Sequence, residues 1–295
     1  MIAPRPRFTI PLPGRGSLAL GSRTFVMGIV NVTPDSFSDG GLALDPKHAI
    51  DLVQTMEACG ADIVDIGAES TRPSAVAIDA AEEWRRLRPV LKELAGRLRV
   101  PLSIDTYRAD TARRAIDEGV AIVNDVSGHG YDPGLGRIIA ARGAALVLMH
   151  TRGRSRDMYD EARYSDVTTE VTRELQRSVE RAVGCGIALE RLIVDPGLGF
   201  AKHANHSLAA LAFTERFAAL GRPLLIGPSR KSFLTVATGD RPPGERDWAT
   251  AAAVTAAVLA GAHIVRVHRV PEIVDVVRVA DAIRGSAEQQ LASVK

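Results

Sequence analysis

The chain has 295 residues, of which 46 % are hydrophobic and 24 % charged. That is the make-up of an ordinary folded protein and excludes a disordered, collagen-like or coiled-coil chain. Lys plus Arg number 37 against 35 Asp plus Glu, a net charge of +2, and aromatics are only 4 %. A general nucleic-acid binder, which needs a basic excess or stacking aromatics, is therefore not expected.

Residues 1–22 carry Pro4, Pro6, Pro11 and Pro13 and no apolar run of the kind a signal peptide requires. Two short extended pieces, 8–11 and 17–20, are expected to cap one end of the fold. From Phe25 onward one unit repeats: a helical pattern ends at a Gly, a short apolar run follows, and the run ends in polar residues. The glycines are Gly60, Gly96, Gly119, Gly143, Gly186, Gly221 and Gly261. Glycine suits the left-handed residue that closes a helix. The runs FVMGIVNVT, ADIVDIGAES, LRVPLSIDTY, VAIVNDVSG, AALVLMH, ERLIVDPGLG, RPLLIGPSR and HIVRVHRV make eight candidate strands, apolar enough to be buried on both faces.

Between them the pattern is helical. Asp45-Pro46 reads as a cap followed by Pro at the first helical position. Trp84, Leu87, Leu91, Leu94 and Leu98 share one face, as do Val167, Val171, Leu175 and Val179. Residues 248–265 carry no Asp, Glu, Lys or Arg, yet Thr250, Thr255, Gly261 and His263 interrupt them. They read as a buried Ala-rich helix leading into a strand, not as a membrane span. Eight strands alternating with helices predict a (β/α)8 TIM barrel over 23–285, preceded by the N-terminal extended or hairpin segment and followed by a tail at 286–295. A doubly wound sheet competes, but no glycine-rich dinucleotide fingerprint follows the first strand. Cys59 and Cys185 stand alone, forming neither a disulfide framework nor a zinc set, and suit a reducing, cytoplasmic compartment.

In a barrel the C-terminal strand ends converge on one site. Here they deliver Asn31, Asp65 with Glu69, Asp105, Asn124 with Asp125, His150, Asp195, the cluster Ser229-Arg230-Lys231-Ser232, and Arg266 with His268. Any one of these could be a turn residue, but apolar strands have no packing reason to end this way eight times. Asp105, Asn124 and Asp195 match a flat heterocycle with an edge of N–H donors. A bidentate pair of that kind contributes roughly 1–3 kcal/mol of discrimination, by analogy with base readout. Lys231 would meet a ring oxygen or nitrogen. Arg266 and His268, two apart on a strand, share a face and with Asn31 suit a phosphate carrying a metal. Ser232, near a helix start, suits a carboxylate. No nucleophile elbow, P-loop or H-E-x-x-H is present, and the pair His203 and His206 lacks the further ligands of a zinc site.

The segments NVTPDSFSDGG (31–41), DIGAESTRP (65–73), SIDTYRADTARRA (103–115), VNDVSG (123–128), MH (149–150), DPGLGFAK (195–202), GPSRKSF (227–233) and VRVH (265–268) together resemble the dihydropteroate synthase family. The match runs in order over nearly the whole chain. The family is a (β/α)8 barrel that joins 6-hydroxymethyl-7,8-dihydropterin diphosphate to p-aminobenzoate in folate synthesis, releasing pyrophosphate. The resemblance implies that Asp105, Asn124, Asp195 and Lys231 hold the pterin. It implies that Asn31, Arg266 and His268 hold the diphosphate, with Asn31 at Mg2+. Thr71, Arg72, Pro73, Phe200 and Ser232 would shape the p-aminobenzoate pocket, the target of sulfonamides, and Asp35 would approach the reacting centre. A homodimer with small-molecule substrates, and neither nucleic acid nor membrane as partner, is implied too. Departures include Ala68, Ser74 and Ala249 where glycine is frequent, Ser207 for Asn, and Ala201 and His203 for the Gly and Thr that often flank Lys202. The rival readings are a pterin-dependent methyltransferase, which needs no diphosphate site, and a catalytically silent pterin-binding paralogue.

Overall fold

The computed structural model describes residues 2, 5–33, 46–70 and 77–293. Its strands are β1 (Phe8–Leu12), β2 (Gly16–Leu20), β3 (Phe25–Asn31), β4 (Ile63–Gly67), β5 (Leu102–Asp105), β6 (Ile122–Asp125), β7 (Ala145–Met149), β8 (Leu192–Asp195), β9 (Leu225–Ile226) and β10 (Ile264–Val267). The helices are α1 (Pro46–Ala58), α2 (Ala80–Leu94), α3 (Ala109–Asp117), α4 (Leu135–Arg142), α5 (Val167–Gly184), α6 (Ala204–Ala212), the short α7 (Thr235–Thr238), α8 (Asp247–Leu259) and α9 (Val270–Ser293). All eight expected apolar runs are strands. The seven glycines that end the repeating units all have positive φ, from 59° at Gly221 to 99° at Gly119.

Strands β3 to β10 form one parallel sheet in the order β8-β7-β6-β5-β4-β3-β10-β9. A parallel bridge between Val194 and Leu224, with Val194 N donating to Pro223 O at 3.0 Å, joins the two ends and closes the barrel. Alternation along each strand sorts the side chains into two cores. Val64, Ile66, Ile104, Val123, Leu146, Leu148, Val194, Ile226 and Val265 face outward and pack under the helices. Met27, Ile63, Ile122, Val147, Ile193, Leu225 and Ile264 face inward and fill the barrel near its N-terminal end.

The helices form where their apolar stripes meet that outer core. In α2, Asp79 accepts from Glu82 N at 2.8 Å to cap the first turn, and Leu87, Leu91 and Leu94 are buried. The helix stops at Leu94, so Leu98 joins the core from the following turn. In α5, Asp166 caps Thr168 and Thr169, and Val167, Val171, Leu175 and Val179 are buried.

The N-terminal pieces pair as an antiparallel hairpin, Phe8 opposite Leu20 through Leu12 opposite Gly16. Its inward residues Ile10, Leu12, Leu18 and Leu20 join the inner apolar core and floor the barrel. Arg15 Nη1 donates to Leu98 O at 2.9 Å, and Arg191 Nη1 to Pro11 O at 2.8 Å, tying the hairpin to the rim.

Two expectations change. The segment expected as a tail from 286 continues α9 as far as Ser293. The Ala-rich stretch is a helix followed by a strand, but α8 is only half buried: Ala253, Val254, Ala257 and Val258 lie inside, while Trp248 is 87 % exposed. No helix among the described residues is long and apolar enough to cross a membrane.

Ile10 is 1 % exposed in the floor. Ile10→Ala is expected to lower stability by about 2–5 kcal/mol, the usual cost of a large-to-small core change. Urea unfolding would measure it, and kcat of the folded protein should stay within about twofold because the floor lies opposite the mouth.

Candidate active site at the barrel mouth

The inner face changes character one layer above the apolar floor. Two residues beyond Ile63, Ile122, Ile193, Leu225 and Ile264 come Asp65, Asn124, Asp195, Gly227 and Arg266. Period-two alternation keeps each pair on the same inner face, so the polar ring is a direct continuation of the floor. On β5, Asp105 follows the buried Ser103 in the same way.

Arg266 knits the ring together. Its Nε donates to Asp65 Oδ2 at 2.7 Å and its Nη2 to Asp105 Oδ2 at 2.8 Å. Asp65, fully buried, also accepts from Asn124 Nδ2 at 2.9 Å, while its Oδ1 is buried with no hydrogen-bond partner. Burial pushes the Asp105 carboxyl well above the ordinary range; Arg266 opposes the rise and Asp65 adds to it. Burial likewise raises Asp195, opposed by Lys231 and by Gly197 N, which donates to its Oδ1 at 2.7 Å. Gly227 leaves the space between Arg266 and Asp195 open: an added Cβ would stand 3.8 Å from Arg266 Cβ and 4.0 Å from Asp195 Oδ2.

The segment after β9 brings a second group to the ring, received by the turn after β8. Lys231, half-buried, donates to Leu198 O, and its Nζ lies 4.5 Å from the centre of the Phe200 ring. Burial pulls its ammonium down to about 8, against the attraction of Asp195. Gly197 has φ +68°, and a Cβ there would collide with the His150 carbonyl. Ala201, where the family often has glycine, takes a left-handed φ of +47°, a conformation costing an L-residue roughly 1–2 kcal/mol.

The other expected residues sort by contact. Asn31 ends β3, opposite Gly67. Ser229 Oγ lies 2.9 Å from His268 Nδ1 and accepts from His268 N at 3.3 Å, which sets the imidazole's orientation. Arg230 turns away to Asp247 in a two-pronged ion pair. Ser232 is exposed at the start of a three-residue 3-10 turn, so only a very short helix begins there. Asp125 folds its own loop, accepting from Ser127 N at 2.8 Å and His129 N at 2.6 Å. Glu69 accepts from Tyr107 Oη at 3.0 Å and pairs with Arg108. His203 stacks on Tyr159 and His206 meets Tyr164 edge to face, and among the described residues no three metal-binding side chains cluster. Asp35, Thr71, Arg72 and Pro73, with Ser74, lie outside the described residues.

Sequence reasoning underrated three residues. Asp65, named among the strand ends but given no role, is the hub of the ring. Ser229 orients His268. Lys202, only 1 % exposed, is buried beside His150. Only Asp65 had a signal, its place on the inner face.

A closed barrel whose inward strand ends carry paired carboxylates, an amide, a lysine and an arginine is an enzyme chamber for a small, flat, polar substrate. The family model described as pterin binding enzyme matches residues 27–268. The dihydropteroate synthase of Synechocystis is 42 % identical over 277 residues, 94 % of this chain and 96 % of that protein. The Yersinia pestis dihydropteroate synthase, solved in a sulfonamide drug complex, superposes with a TM-score of 0.89 at 37 % identity, over 94 % of this chain and 100 % of that one. The Burkholderia cenocepacia enzyme, solved with 7,8-dihydropteroate, gives 0.85 at 38 % identity, over 96 % and 98 %. The chain belongs to the dihydropteroate synthase family. Its activity is that family's transfer in folate biosynthesis, condensing 6-hydroxymethyl-7,8-dihydropterin diphosphate with p-aminobenzoate to give 7,8-dihydropteroate and pyrophosphate.

Asp65→Asn removes the charge that Arg266 and Asn124 share. It is expected to lower stability by about 3 kcal/mol, as breaking a buried ion pair does. The kcat/KM for the pterin diphosphate should fall more than about a hundredfold. Thermal unfolding and steady-state kinetics would check the two effects separately.

Proposed function

We propose that the chamber divides this reaction between a pterin end and a leaving-group end. Asp105, Asn124 and Asp195 accept from the N–H edge of the pterin, and Lys231 donates to its other side. The observation that carries this reading is the Arg266 bridge between Asp65 and Asp105, which holds two carboxylates and, through Asp65, the Asn124 amide in one orientation. Preorganised acceptors of this kind need little rearrangement when a donor edge arrives. Phe200, under the Lys231 ammonium, forms the wall where the arylamine meets the pterin. Thr71, Arg72, Pro73 and Ser232 complete the p-aminobenzoate pocket, and Asp35 approaches the reacting carbon, as the resemblance implies. Sulfonamides, as arylamine mimics, would compete there.

The nucleophile is an arylamine, which attacks without prior deprotonation. The electrophile is a methylene on an electron-rich ring, bearing a good leaving group. The chain therefore has to stabilise a departing diphosphate and exclude water, and needs no catalytic triad. His268, oriented by Ser229, together with Arg266 and Asn31, faces the leaving group. Asn31 offers a hard, neutral oxygen at a strand end. Magnesium held by one protein oxygen, substrate phosphates and water needs no protein cage, and the donor set fits it. Bound there, Mg2+ would offset the charge that grows on the leaving diphosphate.

A homodimer is the assembly we favour: α8 and α9 expose Trp248, Val279 and Ile283, an apolar surface that a second copy would cover. Two free cysteines support a reducing, cytoplasmic setting.

The test is to mix pterin diphosphate, p-aminobenzoate and Mg2+ with the protein. Dihydropteroate and pyrophosphate should appear in equal amounts, and only with p-aminobenzoate present. Binding without turnover would instead mark a silent paralogue. Asn31→Ala should raise the Mg2+ needed for half-maximal rate about tenfold without abolishing pterin binding; an unchanged Mg2+ requirement would remove Asn31 from the metal.

Lys231 also sets a pH dependence. Its charged form faces Asp195 and is lost as pH rises through about 8. Pterin diphosphate affinity by calorimetry should therefore fall between pH 7 and pH 9. Lys231→Met should bind more weakly at pH 7 and show a flatter profile.

A further inference from the structure

The Lys202 side chain is among the most buried in the protein, 1 % exposed, and the reaction as described makes no use of it. Its Nζ lies 2.8 Å from His150 Nδ1 and donates to Phe200 O at 3.0 Å. His150 Nε2 lies 2.8 Å from Glu174 Oε2 on α5, and Arg152 pairs with Glu174 and Glu170. A carboxylate only accepts, so His150 Nε2–H donates to Glu174 and Nδ1 is left to accept from Lys202. That order fixes one tautomer. Burial, reinforced by the neighbouring Lys202, pulls the imidazole down to about 4, so it is neutral at pH 7.

The chain of contacts ends at a strained turn. Residues 197–202 include Gly197 and Gly199 at positive φ and Ala201, a non-glycine residue, at φ +47°. His150 meets this turn twice, and the end of β8 just before it once. Its N–H donates to Asp195 O at 2.8 Å, its carbonyl packs against Gly197, and its Nδ1 accepts a hydrogen bond from Lys202. The carbonyl that Lys202 holds belongs to Phe200, whose ring lies under Lys231.

We propose that Lys202 and His150, steadied by Glu174, are positioning residues that hold the Phe200 ring as the wall of the arylamine pocket. They touch neither substrate. Their task is to clamp the Phe200 carbonyl in a turn whose backbone would otherwise relax. The inference rests on the assignment of Phe200 to the p-aminobenzoate pocket, and a control separates the two.

The experiment compares steady-state kinetics and pterin diphosphate calorimetry for Lys202→Met, His150→Gln, His150→Leu, Glu174→Ala and Phe200→Ala. The amide of Gln can accept and donate in the places of Nδ1 and Nε2, whereas Leu can do neither. Lys202→Met and His150→Leu should raise KM for p-aminobenzoate at least tenfold, with pterin diphosphate affinity within threefold of the parent. His150→Gln should recover most of that loss. Glu174→Ala, at a side chain that is a quarter exposed, extends the test to a position folding tolerates, and should raise the same KM several-fold. If Phe200→Ala raises KM for p-aminobenzoate but Lys202→Met and Glu174→Ala do not, the positioning role is wrong. Equal losses in His150→Gln and His150→Leu also overturn it. If Phe200→Ala leaves that KM unchanged, the pocket assignment itself fails.

Discussion

Two carboxylates and a guanidinium inside a parallel barrel set the terms for the rest of the mouth. Asp65 and Asp105 stand on neighbouring strands, and Arg266 reaches both from β10, beyond β3. Any of these charges alone would be costly to bury, and together they hold one another in place. The arrangement depends on closure, because β10 and β4 flank β3 and only a curved sheet brings their inward side chains across to each other. It also depends on a floor that keeps water out below, which the β1–β2 hairpin supplies with four apolar side chains.

The turn after β8 solves a second problem. Asp195 ends β8, whereas Lys231 lies five residues beyond the two-residue β9, so its side chain needs an anchor to be held beside the ring. The intervening turn lies across the mouth and accepts Lys231 at the Leu198 carbonyl. Left-handed backbone at positions 197, 199 and 201 makes it tight enough to fit. Such backbone persists only where its surroundings hold it. Here the holding comes from His150 and Lys202, buried side chains whose polar atoms would be costly to leave unpaired.

Much of this was legible from residues alone. Eight apolar runs, each entered through a helix-closing glycine, read as strands because runs that short and that apolar have few other stable homes. The polar residues at their ends read as a site because barrel strands converge. That Asp105, Asn124, Asp195 and Lys231 suit a flat, donor-edged heterocycle could be read from type and place. The division of labour could not. Ser229-Arg230-Lys231-Ser232 reads as one cluster, but a φ of +57° at Arg230 sends that side chain to Asp247 while Ser229 meets His268. Asn124 and Asp125 read as a pair, but strand alternation puts one in the chamber and the other under its own loop. The tail was misread because α9 extends past its buried face into polar sequence, where no change of pattern marks the end.

The elements, their order, the barrel and the chemical types that line its mouth could be read from the residues, because these follow from local periodicity, glycine geometry and the period-two alternation of strands. Which charges pair emerges only when the chain is folded. Arg266 lies 201 residues from Asp65 and 161 from Asp105. Lys202 lies 52 residues from His150. Partners so far apart in sequence are chosen by closure of the sheet and by the cost of burying an unpaired charge, and neither leaves a mark on the residues near them in the chain.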